Sequence, residues 1–433
     1  MKRRDFLNTL GSAAGLALSA SAVAQTSPNA EIKPPLISEQ GFFNPCHAVL
    51  PPALANHELV RAAWEGLDSS LCWDAHAHVV GTGDSNSGVV VNPAMYSVFN
   101  ARQFVQRIFF MNAGCVNDSP GKLDQSYVDR MRNLLDSMPL RQGNIARPHA
   151  GAKLLLFAFD YHVRADGSEH PEESAFYVPN SYAAKIAALH PEYFEWAASI
   201  HPYRKDCVER LEQAVVTGAR AVKWLPAAMG MDPGSPRCDK FYEALKRLNI
   251  PLITHAGLER AVHGADKQHY GNPLSLRRPL DHGVRVVVAH CASMGDERDT
   301  DKGANSTATL PCFDLFSRLM EDPKYGANLY GDISAMTQIN RAGRPLKAVI
   351  ERSHWHARLL YGSDYPLPGV MPLYSVDFLV RAGYLDASTG TVLTEVRKYN
   401  PLLFSFVLAR SLKVAGKALA ATVFMTKPFF ARR

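Results

Sequence analysis

The sequence predicts an α/β protein, a (β/α)8 barrel with an insertion after its first strand and extensions at both ends. Two observations carry that expectation. Eight short β-branched or apolar runs alternate with helical patterns from residue 71 onward, as parallel βαβ units do. Six residues of metal-binding or charged type recur at the carboxyl ends of those runs, the face where barrels of this kind keep their chemistry.

The runs are 71–76, 153–159, 195–201, 219–224, 250–255, 285–290, 328–333 and 358–363. Between them, apolar residues spaced by three and four predict helices over 206–216, 238–248 and 373–381. Eight parallel units close naturally into a barrel, which leaves no sheet edge. An open doubly wound sheet would want a Gly-rich turn after its first strand, and none follows residue 76 in that form. Residues 79–150 are too long for a plain crossover and hold a helical pattern at 125–137, so they predict an insertion capping the barrel mouth.

The remainder of the chain frames this unit. With 433 residues, 47% hydrophobic and 20% charged, it can bury a full core. Its net charge of +6 comes from scattered residues, which gives no nucleic-acid footprint. Lys2, Arg3 and Arg4 precede Asp5-Phe6-Leu7, a mildly apolar stretch to Ala24 and the small-residue site Ala22-Val23-Ala24. This resembles a twin-arginine signal peptide over 1–24, implying passage through the twin-arginine export machinery, a mature chain from Gln25 and a periplasmic location. An extended lead-in follows over 25–70, the barrel spans 71–405, and 406–433 form a C-terminal helix and tail. No stretch of the mature chain is apolar enough for a stable membrane span. The seven cysteines, at 46, 72, 115, 207, 238, 291 and 312, contain no CxxC pair and leave room for one or two disulfides. Cys72 and Cys291 lie in or beside apolar runs and read as core thiols.

The chemistry begins with Asp74-Ala75-His76-Ala77-His78. Period two puts Asp74, His76 and His78 on one face of an extended strand, and two imidazoles so placed can chelate a cation. Lys223, His255, His290 and Asp364 then follow other runs at separations of 32, 35 and 74 residues. A barrel of ~250 residues repeats about every 31, so these gaps are one, one and two units, which places all six residues at one face. Nitrogen and carboxylate donors suit Zn2+ first, with Mn2+, Fe2+ or Co2+ as alternatives. Asp74 reads as a strand-end anchor as much as a direct contact. His162, His201, His263 and His269 read as satisfied loop histidines, Arg237, Arg260 and Arg298 as solvated, and Trp224, Tyr177 and Tyr365 as packing residues or pocket walls.

The segments DAHAH, GARAVKWLP, THAG, VVVAHC and YGSDYP resemble the amidohydrolase superfamily, especially the branch that includes aminocarboxymuconate-semialdehyde decarboxylase. The likeness runs over about 71–405, with YNPLLF at 399–404 similar to the Asn-containing helix that closes that branch. It implies a metal held by His76, His78, His255 and Asp364, with Asp364 also accepting and returning a proton. It implies that His290 orients the reacting oxygen or binds a second metal, and that Lys223 either bridges two metals as a carbamate or holds a substrate carboxylate. One metal is favoured over two. The expected activity is hydrolysis of a small carbonyl compound (lactone, amide or ester) by metal-activated water. Non-oxidative decarboxylation of an unsaturated or aromatic acid is the second expectation, and a non-catalytic exported binding protein the third. The resemblance also leaves room for a homodimer, which no sequence feature demands.

Overall fold

A computed structural model describes residues 32–116, 121–142, 145–148, 151–262, 265–303 and 306–431; the signal-like segment 1–24 and His263 lie outside them. Residues from Pro34 onward form one compact unit.

Eight parallel strands lie where the apolar runs predict them: β1 (Trp73–His78), β2 (Lys153–Phe157), β3 (Phe194–Ala197), β4 (Val222–Trp224), β5 (Leu252–His255), β6 (Val286–Ala289), β7 (Leu329–Asp332) and β8 (Leu359–Leu360). They pair in order as β1-β2-β3 and β4-β5-β6-β7-β8. Two parallel bridges join these arcs, Ala198 to Val222 and Ala77 to Tyr365. The His78 amide donates to the Tyr365 carbonyl at 2.8 Å, and the Asp364 amide to the His76 carbonyl at 2.8 Å. The barrel is therefore closed.

Two apolar layers follow from strand alternation. Trp73, Ala75, Leu155, Phe157, Ala197, Ala221, Ile253, Val287 and Leu360 fill the barrel interior. Phe430, from a short helix at Lys427–Phe430, packs on the same cluster, so the tail is docked. The outward residues meet helices Asn180–Leu189, Cys207–Val216, Asp239–Arg247, Cys312–Glu321 and Arg344–Glu351. The helix expected over 373–381 starts only at Val376, because the Ser375 hydroxyl accepts from the Phe378 amide and caps it there.

Between β1 and β2 the described residues include two α-helices, Ala101–Ala113 and Leu123–Asp136. The second buries Tyr127, Val128, Met131, Leu134 and Leu135 in the main core. The first roofs the cavity described below. Lead-in residues brace that roof: Cys46 is disulfide-bonded to Cys115, and Phe43 stacks on Phe109. Cys72, Cys207, Cys238, Cys291 and Cys312 are buried free thiols. Asn400 caps helix Pro401–Ser411 and donates from its side chain to the Leu134 carbonyl at 2.7 Å. Among the described residues no helix is long and apolar enough to cross a membrane.

Candidate metal centre and active site

A cavity of about 630 Å3 opens over the carboxyl ends of the strands. Its floor carries all six residues that the sequence placed at this face: His76, His78, Lys223, His255, His290 and Asp364. Strand alternation explains two of them directly. Lys223 and His255 stand two residues beyond the interior residues Ala221 and Ile253.

β1 works differently. Its register shifts between Asp74 and Ala77, a bulge that breaks the period. His76 and His78 line the cavity and Asp74 does not, so the expectation of three polar groups on one face fails at the bulge. Asp74 instead accepts from the amides of His76 (3.1 Å) and Ser363 (2.8 Å), tying the HxH strand to the loop that carries Asp364. Burial pushes its carboxyl up to about 7, opposed by these hydrogen bonds. Gly362 allows the same approach, since a Cβ there would sit 2.6 Å from the His76 Cβ. Asp364 and His290 both occupy the left-handed backbone region, at φ 60° and 54°, an unfavourable conformation that the surrounding structure enforces.

Three donors converge. Asp364 Oδ1 lies 3.1 Å from His78 Nε2 and 3.4 Å from His76 Nε2. A tetrahedral cation with bonds of ~2.0–2.1 Å holds its ligand atoms about 3.3 Å apart, so this spacing fits one small divalent ion. The other carboxylate oxygen, Oδ2, faces His290 Nε2 at 3.9 Å. Burial raises the pKa of Asp364 and lowers those of His76 and His290 well below the ordinary histidine value, so both imidazoles are neutral and can donate lone pairs.

Asp332 and Ser334, which the sequence reasoning missed, orient these rings. His76 Nδ1 donates to Asp332 Oδ2 at 2.9 Å, which leaves the Nε2 lone pair directed at Asp364. His290 Nδ1 donates toward the Ser334 carbonyl (2.9 Å) and hydroxyl (2.8 Å), and the hydroxyl donates to Asp332 Oδ1. Asp332 Oδ1 also accepts from the amides of His290 and Ser334, at 2.9 and 3.0 Å. His290 thus presents a lone pair to the cavity and not an N–H, which suits holding water or taking a proton and does not suit polarising a carbonyl. Only the Asp at the end of the LYGD run could have signalled this network, and β7 carried no histidine to draw attention to it.

His255 stands apart. It belongs to neither His/Asp group close enough to share an ion, the triad of His76, His78 and Asp364 or the set of His76, His290 and Asp332. Its Nε2 is buried and makes no hydrogen bond, although Glu259 Oε2 lies 3.2 Å away, within ion-pair distance but at a poor angle. Burial lowers its pKa to about 4, so the ring is neutral, and its unpartnered Nε2 belongs to an imidazole that lines the cavity. The donor set and this orphaned nitrogen both fit a cation. Lys223 Nζ is 3.4 Å from His76 Nε2, and burial brings its pKa down to about 8.

Of the other polar residues considered from sequence, Arg260 lines the cavity. His201 is held between the Met229 carbonyl (3.0 Å) and the Tyr203 amide (3.1 Å), and His162 lies against the Ala228 carbonyl (3.1 Å) and Lys267 Nζ (3.0 Å). His269 packs on Tyr270. Arg237 stacks over Tyr203 and donates to the Ala165 carbonyl, and the Arg298 carbonyl accepts from Asn272. Trp224, Tyr177 and Tyr365 are not walls of the cavity: Trp224 packs on Phe241 and Tyr242, Tyr177 stacks on Tyr161, and Tyr365 meets Tyr127. Arg341 and Gln338, in the loop after β7, were missed and do line it.

Fold and site together define a barrel enzyme with a histidine and carboxylate cluster at its carboxyl-end mouth. The amidohydrolase family model matches residues 73–376, and the chain belongs to that family, which generally uses a divalent metal. Among solved structures it is similar to an uncharacterised Tim-barrel protein from Bordetella bronchiseptica (16% identity, 68% of this chain and 86% of that one, TM-score 0.42). It is also similar to a probable 2-pyrone-4,6-dicarboxylic acid hydrolase from Acinetobacter baumannii (16%, 72% and 90%, 0.42) and to 5-carboxyvanillate decarboxylase from Sphingomonas paucimobilis (11%, 74% and 96%, 0.37). No curated protein matches the sequence.

Proposed function

We propose that this chain is an exported hydrolase that cleaves a carbonyl compound, a lactone, amide or ester, with a single divalent metal held by His76, His78 and Asp364 together with His255. The observation that carries the reading is the 3.1–3.4 Å spacing of Asp364 Oδ1 from the two imidazole nitrogens, on the floor of the large cavity. When bound, the cation, with Zn2+ as the first choice, supplies Lewis acidity to water and to the substrate carbonyl. The chain's own groups do the rest. Asp364 Oδ2, turned away from the imidazole pair, takes the proton from the attacking water and returns it to the leaving group. His290 holds that water through its Nε2 lone pair. Asp332 keeps both rings in the required tautomer, and the apolar walls exclude bulk water. Lys223, partly deprotonated near pH 8, stands where it can bind an anionic group or take up CO2 to bridge a second metal. The Cys46–Cys115 disulfide supports an oxidising compartment and hence the export reading.

Elemental analysis of the purified chain tests the metal. One equivalent of a transition metal, lost in His76→Ala, is expected. Two equivalents would indicate a Lys223 carbamate bridge, and none under metal-replete conditions refutes the reading. Non-oxidative decarboxylation is the second reading, favoured by a cationic Arg341 on the cavity wall that could grip a carboxylate. Solvent 18O in the product marks hydrolysis; release of CO2 without it marks decarboxylation.

A further inference from the structure

The cavity is chemically divided. Beside the histidine and carboxylate cluster, Val80, Val89, Val91, Phe159, Phe176 and Leu367 give it a broad apolar lining. The roof helix adds Ala101, Val105 and Phe109, one apolar stripe at a spacing of four, and also turns Arg102, Gln106 and Arg107 into the lining. Cavities of 300–1,000 Å3 enclose drug-sized ligands, and this one, at about 630 Å3, is near the middle of that range. A compact lactone would leave much of the apolar wall in contact with water.

Arg341 is the second observation. The fully buried arginines are fully paired: Arg204 binds Asp160 and Glu169, and Arg397 donates to four backbone carbonyls and Gln40. Among the described residues the Arg341 side chain makes one hydrogen bond, to Ser293 Oγ at 3.2 Å, and no ion pair within 4.0 Å. It lines the same cavity as His76, His255, His290 and Asp364. A half-buried guanidinium in the cavity lining without a carboxylate partner offers a planar fork that fits one.

We propose that the cavity takes an amphiphilic acid, whose carboxylate beside the reacting carbonyl is held by Arg341 and whose extended apolar tail lies along the Ala101–Ala113 helix. An N-acylated amino acid with a medium-length acyl chain has this chemistry. In its hydrolysis the amide C–N bond breaks, the acyl carbon takes the hydroxyl of water, and the nitrogen takes the proton. The substrate class deepens the hydrolase reading and rests on it only for the reacting carbonyl.

Calorimetric titration with butanoate, octanoate and octan-1-ol tests the class without turnover. Each methylene buried in the cavity should tighten binding by roughly threefold to fourfold. Octanoate should bind tighter than both butanoate and octan-1-ol. Arg341→Met should lose the preference for acid over alcohol and keep the dependence on chain length, whereas Phe109→Ala should do the reverse, so that misfolding of one variant leaves the other to decide. Equal binding of butanoate and octanoate, or of octanoate and octan-1-ol, overturns the proposal. Turnover of N-octanoylglycine over N-acetylglycine by the metal-loaded enzyme supports both readings. Preference for N-acetylglycine overturns the substrate class and leaves the hydrolase standing. Octanoate binding with the expected selectivity but no turnover of either amide supports the ligand class and counts against hydrolysis.

Discussion

Replacing Asp332 by Asn should weaken metal binding without removing any proposed ligand. Its two oxygens accept four donors from the site: His76 Nδ1 on Oδ2, and the amides of His290 and Ser334 with the Ser334 hydroxyl on Oδ1. An Asn has one accepting oxygen. If its NH2 faces His76, two donors meet and the ring must shift its proton to Nε2, where the lone pair is needed. If its NH2 faces the other three, a buried amide is left unsatisfied at a cost of ~1–3 kcal/mol. Loss of such an orienting partner costs about 10- to 100-fold in metal affinity. Chelator competition against Zn2+ at pH 7.5 reads the affinity, and thermal melts with and without Zn2+ read the stability. Ser334→Ala, which leaves the His76 contact intact, should weaken the metal less. Wild-type Zn2+ affinity in Asp332→Asn would refute the argument that this carboxylate sets the tautomer.

Further outcomes follow from the same geometry. Arg397→Met removes a buried guanidinium from the carbonyls of Pro368, Val370, Met371 and Tyr374, in the loop that follows Asp364. It should cost at least ~3 kcal/mol in urea unfolding, since hydrogen bonds to charged groups are worth ~1.5–3 kcal/mol each. Cys46→Ser with Cys115→Ser, or reduction of the wild type, should cost about 2–4 kcal/mol, because the bond closes a long loop. An unchanged melting temperature in dithiothreitol would count against it. His201 is neutral and fully buried, its pKa lowered by burial to about 3. The unfolded chain protonates it first, so the stability it contributes is complete above pH ~6.5 and falls as pH drops toward 3, by up to ~1.4 kcal/mol per unit. Urea unfolding at pH 7 and 5 should show this loss, and His201→Gln should flatten it.

The strands, the barrel closure and the six polar floor residues could be read from sequence, because each rests on a periodicity. An apolar run marks a strand, and a strand's last residue in phase with the ~31-residue repeat marks the mouth. Other features carry no such period. The β1 bulge rotates Asp74 off the face of His76 and His78, and it follows from how β1 registers against β2 and the Asp364 loop. The left-handed His290 and Asp364, the pairing of Cys46 with Cys115 across 69 residues, and the separation of His255 from the triad likewise depend on contacts between distant segments. So does Asp332, which looks like any polar residue at a strand end until it meets His76, 256 residues earlier in the chain. Sequence alone determined the barrel, its chemical face and the donor types available there. Tertiary structure decided which lone pairs meet, because an imidazole's direction is set by the partner of its other nitrogen, and that partner comes from another strand.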